Sequence, residues 1–255
     1  MSRPDQLYTA NTLLSALSVG DIALLQPHLS RVSLPRGQVL VTPNQPAEHV
    51  YFPEGGVVSI MSAVKQSGRI EAGVFGRDGV SATFLLLGAD RSPLESIVQV
   101  NGSTALRIGV DPYLAAIRQS ESLRMTLLQY VQTVLVQSAQ SMATNANQRV
   151  EARLARWLLM CHDRIDGDEI AVTHDLLGMM ISAERSGVTM TLHVLEGAGM
   201  IRSQRGRITI RDRDQLEELA GDSYGLPEAE YRRLIGPIGR PSLVLPFDGR
   251  VNQPR

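Results

Sequence analysis

Between residues 172 and 196 the chain reads Val-Thr-His-Asp-Leu-Leu-Gly-Met-Met-Ile-Ser-Ala-Glu-Arg-Ser-Gly-Val-Thr-Met-Thr-Leu-His-Val-Leu-Glu. Apolar side chains fall at Leu176, Leu177, Met180 and Ile181, then at Val188, Leu192 and Leu195. Each set makes a stripe on one face of a helix. The break between them, Ser182-Ala-Glu184, leaves room only for a tight turn. Thr173 is placed to cap the first helix with its hydroxyl. Glu184 puts negative charge at the start of the second helix, where the backbone dipole favours it. Two short helices packed through these stripes leave the opposite face of the second one open. Arg185, Ser186 and Thr189 fall on that face. The next segment, Met200-Ile-Arg-Ser-Gln-Arg-Gly-Arg-Ile-Thr-Ile, predicts two strands around a turn at Gln204-Arg-Gly206.

The charge on this segment narrows its use. The whole chain has a formal charge of −1, yet residues 185–211 hold five arginines and one acid, Glu196. Phosphate attraction is screened within about 8–10 Å in cell-like salt, so this local excess matters more than the global balance. In a helix-turn-helix the first residues of the second helix meet base edges in the major groove. The arginine fork of Arg185 suits the O6 and N7 acceptors of guanine. Ser186 and Thr189 reach either a base or a phosphate, and Thr173 lies at the same surface. Arg205 and Arg207, at the hairpin tip, would reach the backbone or the minor groove and position the domain without reading sequence. Two residues depart from the usual pattern. Ser182 stands where the turn often has glycine, and Gly187 inside the second helix costs about 1 kcal/mol relative to alanine.

The first half has a different texture. Short helices are expected over residues 11–28. Then come short β-like runs: 32–41 around a Pro-Arg-Gly turn, 50–52, 57–61, 69–75, 95–100 and 104–108, punctuated by glycines including Gly37, Gly76, Gly79 and Gly102. Many short strands at close spacing indicate a sandwich or barrel. Asp111-Pro112 predicts a helix start. Residues 123–142 contain no glycine or proline, and predict a helix spanning about 30 Å. Its stripe is wide and poor in charge, so it is expected to pack on two sides. One side is the β-domain. The other is a twin subunit, with Leu123, Leu127, Val131, Val134, Leu135, Ser138 and Met142 as interface residues. Asn145-Ala-Asn147 is the expected hinge, and Val150, Leu154, Trp157, Leu158 and Cys161 mark an amphipathic helix beyond it.

The expected fold class is therefore α+β. It has an N-terminal β-roll of jelly-roll type over 11–110, a linker and dimerisation helix over 111–145, a winged helix-turn-helix over 146–222, and a partly flexible extension over 223–255. The longest apolar runs fall short of a membrane span, the N-terminus lacks a secretory pattern, and the single cysteine, Cys161, permits no intrachain disulfide. These points favour the cytoplasm. No catalytic residue, metal ligand or cofactor is expected. A cupin-type metal enzyme, the remote alternative, needs several histidines converging from strands, and only His49 lies in the β-region. No phosphate-cradling loop or nucleophile elbow occurs.

The order of elements resembles the Crp/Fnr regulators from about residue 13 to 219. The likeness is strongest in Thr173-His-Asp-Leu-Leu-Gly-Met-Met-Ile-Ser-Ala-Glu-Arg-Ser-Gly-Val and Leu195-Glu-Gly-Ala-Gly-Met-Ile-Arg, and it extends to Val150-Glu-Ala-Arg-Leu-Ala-Arg-Trp-Leu. The resemblance implies a homodimeric transcription factor on a near-palindromic site in double-stranded DNA, with RNA polymerase as a further partner and a small-molecule effector of unknown identity. Arg185 matches the family's base-reading arginine, and Ser186 replaces a base-reading glutamate of the cyclic-AMP branch. In the β-roll, Leu94 or Glu95 falls where that branch holds the cyclic phosphate with an arginine, and a carboxylate there would repel it. Arg91 and Ser138 remain the weak effector candidates. Cys161 alone holds no iron–sulfur cluster. The alternative is a cyclic-nucleotide-binding-like signalling module without DNA binding; the basic hairpin and the lost arginine both argue against it.

Overall fold

The computed structural model describes residues 9–64, 68–100 and 104–238. Two short helices lead the chain, α1 (Thr12–Ser15) and α2 (Val19–Leu25). Seven strands follow: β1 (Ser30–Ser33), β2 (Val39–Val41), β3 (His49–Pro53), β4 (Val57–Val64), β5 (Gly68–Phe75), β6 (Glu95–Val100) and β7 (Thr104–Gly109). They form two antiparallel sheets, ordered β1-β7-β3 and β2-β6-β4-β5. Residues 32–41 do not make a hairpin as their alternation suggests: β1 pairs with β7 in one sheet and β2 with β6 in the other.

Strand β4 lies between two of the three hydrophobic clusters of the described residues. Val58 faces the space between the sheets with Leu34, Phe75, Val98 and Ala105. Its neighbours Val57 and Met61 point the other way and join Trp157, Leu158 and Leu177 of the C-terminal half. Strand side chains alternate between faces, so the near-continuous apolar run of β4 is that of a strand covered on both sides.

Helix α3 (Val110–Gln119) starts two residues earlier than the Asp111-Pro112 signal, with Gly109 in place of Asp111 at its N-cap. The long helix α4 (Glu121–Asn147) is 27 residues. Ser120 caps it, and the buried carboxylate of Asp21 accepts from Ser120 and from Ser122 (2.9 Å), tying α2 to the start of α4. The expected hinge at 145–147 is still helical, and the chain turns at Gln148 instead.

Beyond the turn lie α5 (Val150–His162), β8 (Glu169–Ile170), α6 (His174–Met180), α7 (Arg185–Gly197), β9 (Ile201–Gln204), β10 (Arg207–Ile210) and α8 (Arg213–Ala220). The strands form a small sheet ordered β8-β10-β9. A last helix, α9 (Leu226–Leu234), lies in the stretch expected to be an extension. Pro227 in its first turn and the Glu228 carboxylate accepting from Gly225 N–H (2.9 Å) give its start the usual signals. It packs along α4. The tail beyond 238 and the turn at Gly102 lie outside the described residues.

A polar seam joins the two halves. Trp157 donates its indole N–H to Glu71 (3.1 Å), and Ser59 donates to the same carboxylate (2.6 Å). Arg164, fully buried, donates to Asp78 (2.9 Å) and to the Met160 carbonyl (2.7 Å). Burial alone would depress the Arg164 guanidinium, but the Asp78 charge more than offsets it and holds it above the usual range. Gly56 N–H donates to the Arg164 carbonyl (3.1 Å), and Arg77 pairs with Asp166 (2.7 Å).

Candidate nucleic-acid interface

Helix α6 forms as its pattern predicts. Thr173 caps it, its hydroxyl accepting from Leu176 N–H (3.3 Å). Leu176, Leu177, Met180 and Ile181 are buried, and Val188, Leu192 and Leu195 of α7 pack against them. The turn is tighter than most sequences tolerate. Ser182 has φ +52°, a left-handed conformation that costs a side-chain-bearing residue roughly 1–2 kcal/mol. It is supported from outside: Arg153 of α5 donates to the carbonyls of Ile181 (3.0 Å) and Ser182 (3.1 Å). Those are carbonyls that a helix end leaves without partners.

The packed side of α7 holds Val188, Thr191, Leu192 and Leu195. At 100° per residue the opposite side is Ser186, Met190 and His193, all exposed. Arg185 stands at the flank nearest α6, exposed, and reaches Asp175 (3.2 Å). This exposed pair is worth little in water and is easily exchanged for another acceptor. Thr189 is less open than the sequence suggests. Its hydroxyl donates to the Arg185 carbonyl (3.0 Å) and lies 3.0 Å from His174 Nδ1. Met190 carries no charge pattern to flag it, and only the helix's orientation brings it to the surface.

Gly178 and Gly187 have different reasons to be glycine. A Cβ on Gly178 would come within 2.7 Å of the Ala183 carbonyl oxygen, so α6 and the turn meet there at backbone contact. A Cβ on Gly187 would meet nothing within 4 Å. Gly187 therefore does not serve contact with the first helix.

The hairpin β9–β10 turns at Arg205-Gly206, with Gly206 at φ +75°. Ile201, Ile208 and Ile210 point inward, while Arg202, Arg205 and Arg207 are exposed. Arg207 pairs loosely with Glu169 (3.4 Å). The Ser203 N–H donates to Glu196 at the end of α7 (2.9 Å), which fixes the hairpin to the helix beside it.

The long helix has three faces. Leu123 and Leu127 are fully buried in the protomer's own core with Tyr130 and Val131, and Val134 packs partly against it. Ser138 is half-buried opposite Gly73, and α9 covers a second face. The third face is the most open: Met125, Leu128, Gln132, Leu135, Ala139, Met142 and Ala146, spaced alternately by three and four residues and free of charge, with Leu128 half-buried and Gln132 bonded at its edge to Glu230 of α9. Leu135 is 61% exposed and Met142 68%. Of the residues expected at a twin-subunit interface, Leu135 and Met142 lie on this face. Leu123, Leu127 and Val131 do not, because the protomer uses that apolar face for itself.

The effector candidates are scattered. Arg91 is exposed and bidentate to its neighbour Asp90. Glu95 is held by Arg69 (2.9 Å). Among the described residues no cluster of His, Cys, Asp or Glu could hold a metal, and no helix is long and apolar enough to cross a membrane. Cys161 is buried, which pushes its thiol well up.

Comparison with known proteins agrees with this geometry. Residues 152–219 match the Crp-like helix-turn-helix domain. A global nitrogen regulator of Synechocystis sp. is 23% identical over 188 residues, 69% of this chain and 82% of the relative. Among solved structures, a Crp-family transcriptional regulator of Thermus thermophilus, TTHB099, superposes with a TM-score of 0.62 at 18% identity, covering 76% of this chain and 97% of that one. FixK2 of Bradyrhizobium japonicum gives 0.62 at 18% identity, covering 76% and 98%. The c-di-GMP-responsive global regulator CLP of Xanthomonas campestris gives 0.59 at 16% identity, covering 76% and 99%. At these identities the structures establish a shared fold.

Proposed function

We infer that this chain, which carries a Crp-like helix-turn-helix domain on the fold of Crp/Fnr transcriptional regulators, binds DNA by sequence as a homodimer. The observation that carries the reading is the open face of α7: Arg185, Ser186, Met190 and His193 uncovered, beside a hairpin that presents Arg205 and Arg207. Helix α7 enters the major groove. Arg185 exchanges Asp175 for guanine acceptors, and Ser186 and Thr173 contact the base edge or phosphate nearby. Thr189, engaged with Arg185 and His174, orients the first turn of α7. Arg205 and Arg207 hold the flanking backbone.

The dimer forms through the open seam of α4. A seven-position run at alternating three- and four-residue spacing suits two parallel helices, and two-fold symmetry sets the recognition helices one DNA turn apart, about 34 Å. The operator is then near-palindromic, the place of action is the cytoplasm, and RNA polymerase is the partner for the regulatory output. A cyclic nucleotide is not part of the reading, since Leu94 or Glu95, the latter paired with Arg69 of β5, stands where a phosphate-holding arginine belongs.

Selection of bound duplexes from a random pool, with light scattering on the same sample, tests both parts. The expected result is an enriched near-palindrome bound by a dimer. A dimer that enriches nothing defeats the DNA reading, and a monomer on DNA defeats the seam.

A further inference from the structure

The C-terminal extension leaves the DNA-binding half and returns to the β-domain. Its root is fixed to the first. Arg156 of α5 donates to the Ser223 carbonyl (2.8 Å), and Tyr224 accepts from Arg213 (2.6 Å) while donating to Asp163 (2.7 Å). The same root touches α4, where Gln140 donates to the Asp222 carbonyl (2.9 Å). Its far end enters the β-domain core. Tyr231 is 2% exposed, sits in one apolar cluster with Leu13, Val80 and Tyr130, and its hydroxyl lies 3.3 Å from that of Thr12.

Helix α9 fills a chamber. The walls are Val74 and Asp78 of the β-domain, Tyr130, Thr133 and Gln137 of α4, and Arg164 from the loop after α5. Three parts of the molecule whose relative placement orients the DNA-binding half thus meet at one spot. The walls mix polar and apolar groups and carry both signs of charge. Glu228 and Tyr231 of α9 complete the lining, their polar groups held by Gly225 N–H and the Thr12 hydroxyl, and the space left over is about 10 Å³, room for about one water. Gln137 closes the chamber further by accepting from Val74 N–H (2.7 Å). The arrangement held in this way leaves the α7 face and the hairpin tip open.

We propose that α9 is a ligand supplied by the chain itself: it occupies the chamber between β-domain, long helix and the loop after α5, and straps the DNA-binding half in the orientation that binds DNA, with no small molecule required. This rests on the DNA-binding reading above.

The strap differs from a helix that merely fills a core in one respect: it must be continuous. The test inserts a flexible Gly/Ser linker of about ten residues between Tyr224 and Gly225 of the full chain. Both ends keep their contacts, but the tie between them is slack. Hydrogen exchange without DNA and affinity for a selected duplex are measured beside the unmodified chain. The expected result is a preserved melting transition, α9 amides still protected, faster exchange at Gly56 N–H on the domain seam, and about tenfold weaker DNA binding. If the insertion also undocks α9, a synthetic helix of residues 225–238 added in trans must restore affinity to a chain ending at Tyr224. Unchanged seam exchange with unchanged or tighter DNA binding overturns the proposal, as does a failed restoration. An unmodified chain that selects no duplex defeats the DNA-binding reading, while the seam exchange still decides the strap.

Discussion

Trp157 of the DNA-binding half gives its indole N–H to the buried Glu71 carboxylate of the β-domain at 3.1 Å, so the halves share a titratable group at their seam. Burial pushes Glu71 up to about 7, although Ser59, Trp157 and the charges of Arg156 and Arg164 favour its ionised form. The ordinary carboxyl value is 4.5. Between these values the folded chain holds a proton that the unfolded chain has lost, so this group's contribution to stability falls as pH rises through the window and is lost above about pH 7. The difference is on the order of 3 kcal/mol. Glu71→Gln should flatten the slope of unfolding free energy between pH 5 and 8 and stabilise the chain most at the alkaline end. Urea titrations at several pH values check it; parallel slopes in both proteins would remove Glu71 from the account.

Arg185→Ala is expected to cost about 1–3 kcal/mol of binding to the selected duplex and to relax the preference at one base position. Arg205→Ala should weaken binding to all sequences alike and make the salt dependence shallower. Anisotropy titrations on matched and single-mismatch duplexes at two salt concentrations separate the effects. A sequence preference untouched by Arg185→Ala would mean that α7 is not the reading helix.

Leu135→Glu should give a folded monomer, because Leu135 projects from the open seam of α4. Val131→Glu, four residues away, buries a charge inside the protomer and should cost roughly 3 kcal/mol or more of stability. Sedimentation with thermal melting distinguishes them. A dimeric, stable Leu135→Glu chain would rule out the seam as the contact.

Gly178→Ala forces a Cβ within 2.7 Å of the Ala183 carbonyl oxygen and should destabilise the domain by about 1–3 kcal/mol. Gly187→Ala meets open space and removes a helix-breaking residue, so it should stabilise by about 1 kcal/mol. If DNA comes close to the α7 backbone there, the second variant also binds DNA more weakly. A stabilised Gly187→Ala chain with full affinity would assign that glycine no part in the contact.

The helix-turn-helix was legible because its determinants are local. Thr173, the stripe from Leu176 to Ile181 and the stripe from Val188 to Leu195 specify two helices and their contact within two dozen residues. The strands of the β-domain were legible as runs of alternation. Their partners were not, because β1 and β2 adjoin in sequence and belong to different sheets. Thr189 was expected on the open face because helical geometry puts it near there; the hydrogen bond to His174 depends on how α6 crosses α7.

What the sequence determined by itself is periodicity: a capped helix pair with a basic hairpin, a set of short strands, and a long helix apolar on more than one side. What only the tertiary structure decided is which apolar side goes where. Leu127 and Leu135 are equally apolar and eight residues apart on one helix. The first is buried in the protomer and the second is open, because packing of the β-domain and α9 uses two faces of α4 and leaves the third. The same holds for Glu71, Arg164 and Tyr231. Each is ordinary in sequence, and each is defined by partners 86 to 219 residues away that only the folded chain brings within bonding distance. Local patterns set local structure because neighbours along the chain are neighbours in space, whereas burial, pairing and orientation depend on contacts between segments that the chain order alone does not rank.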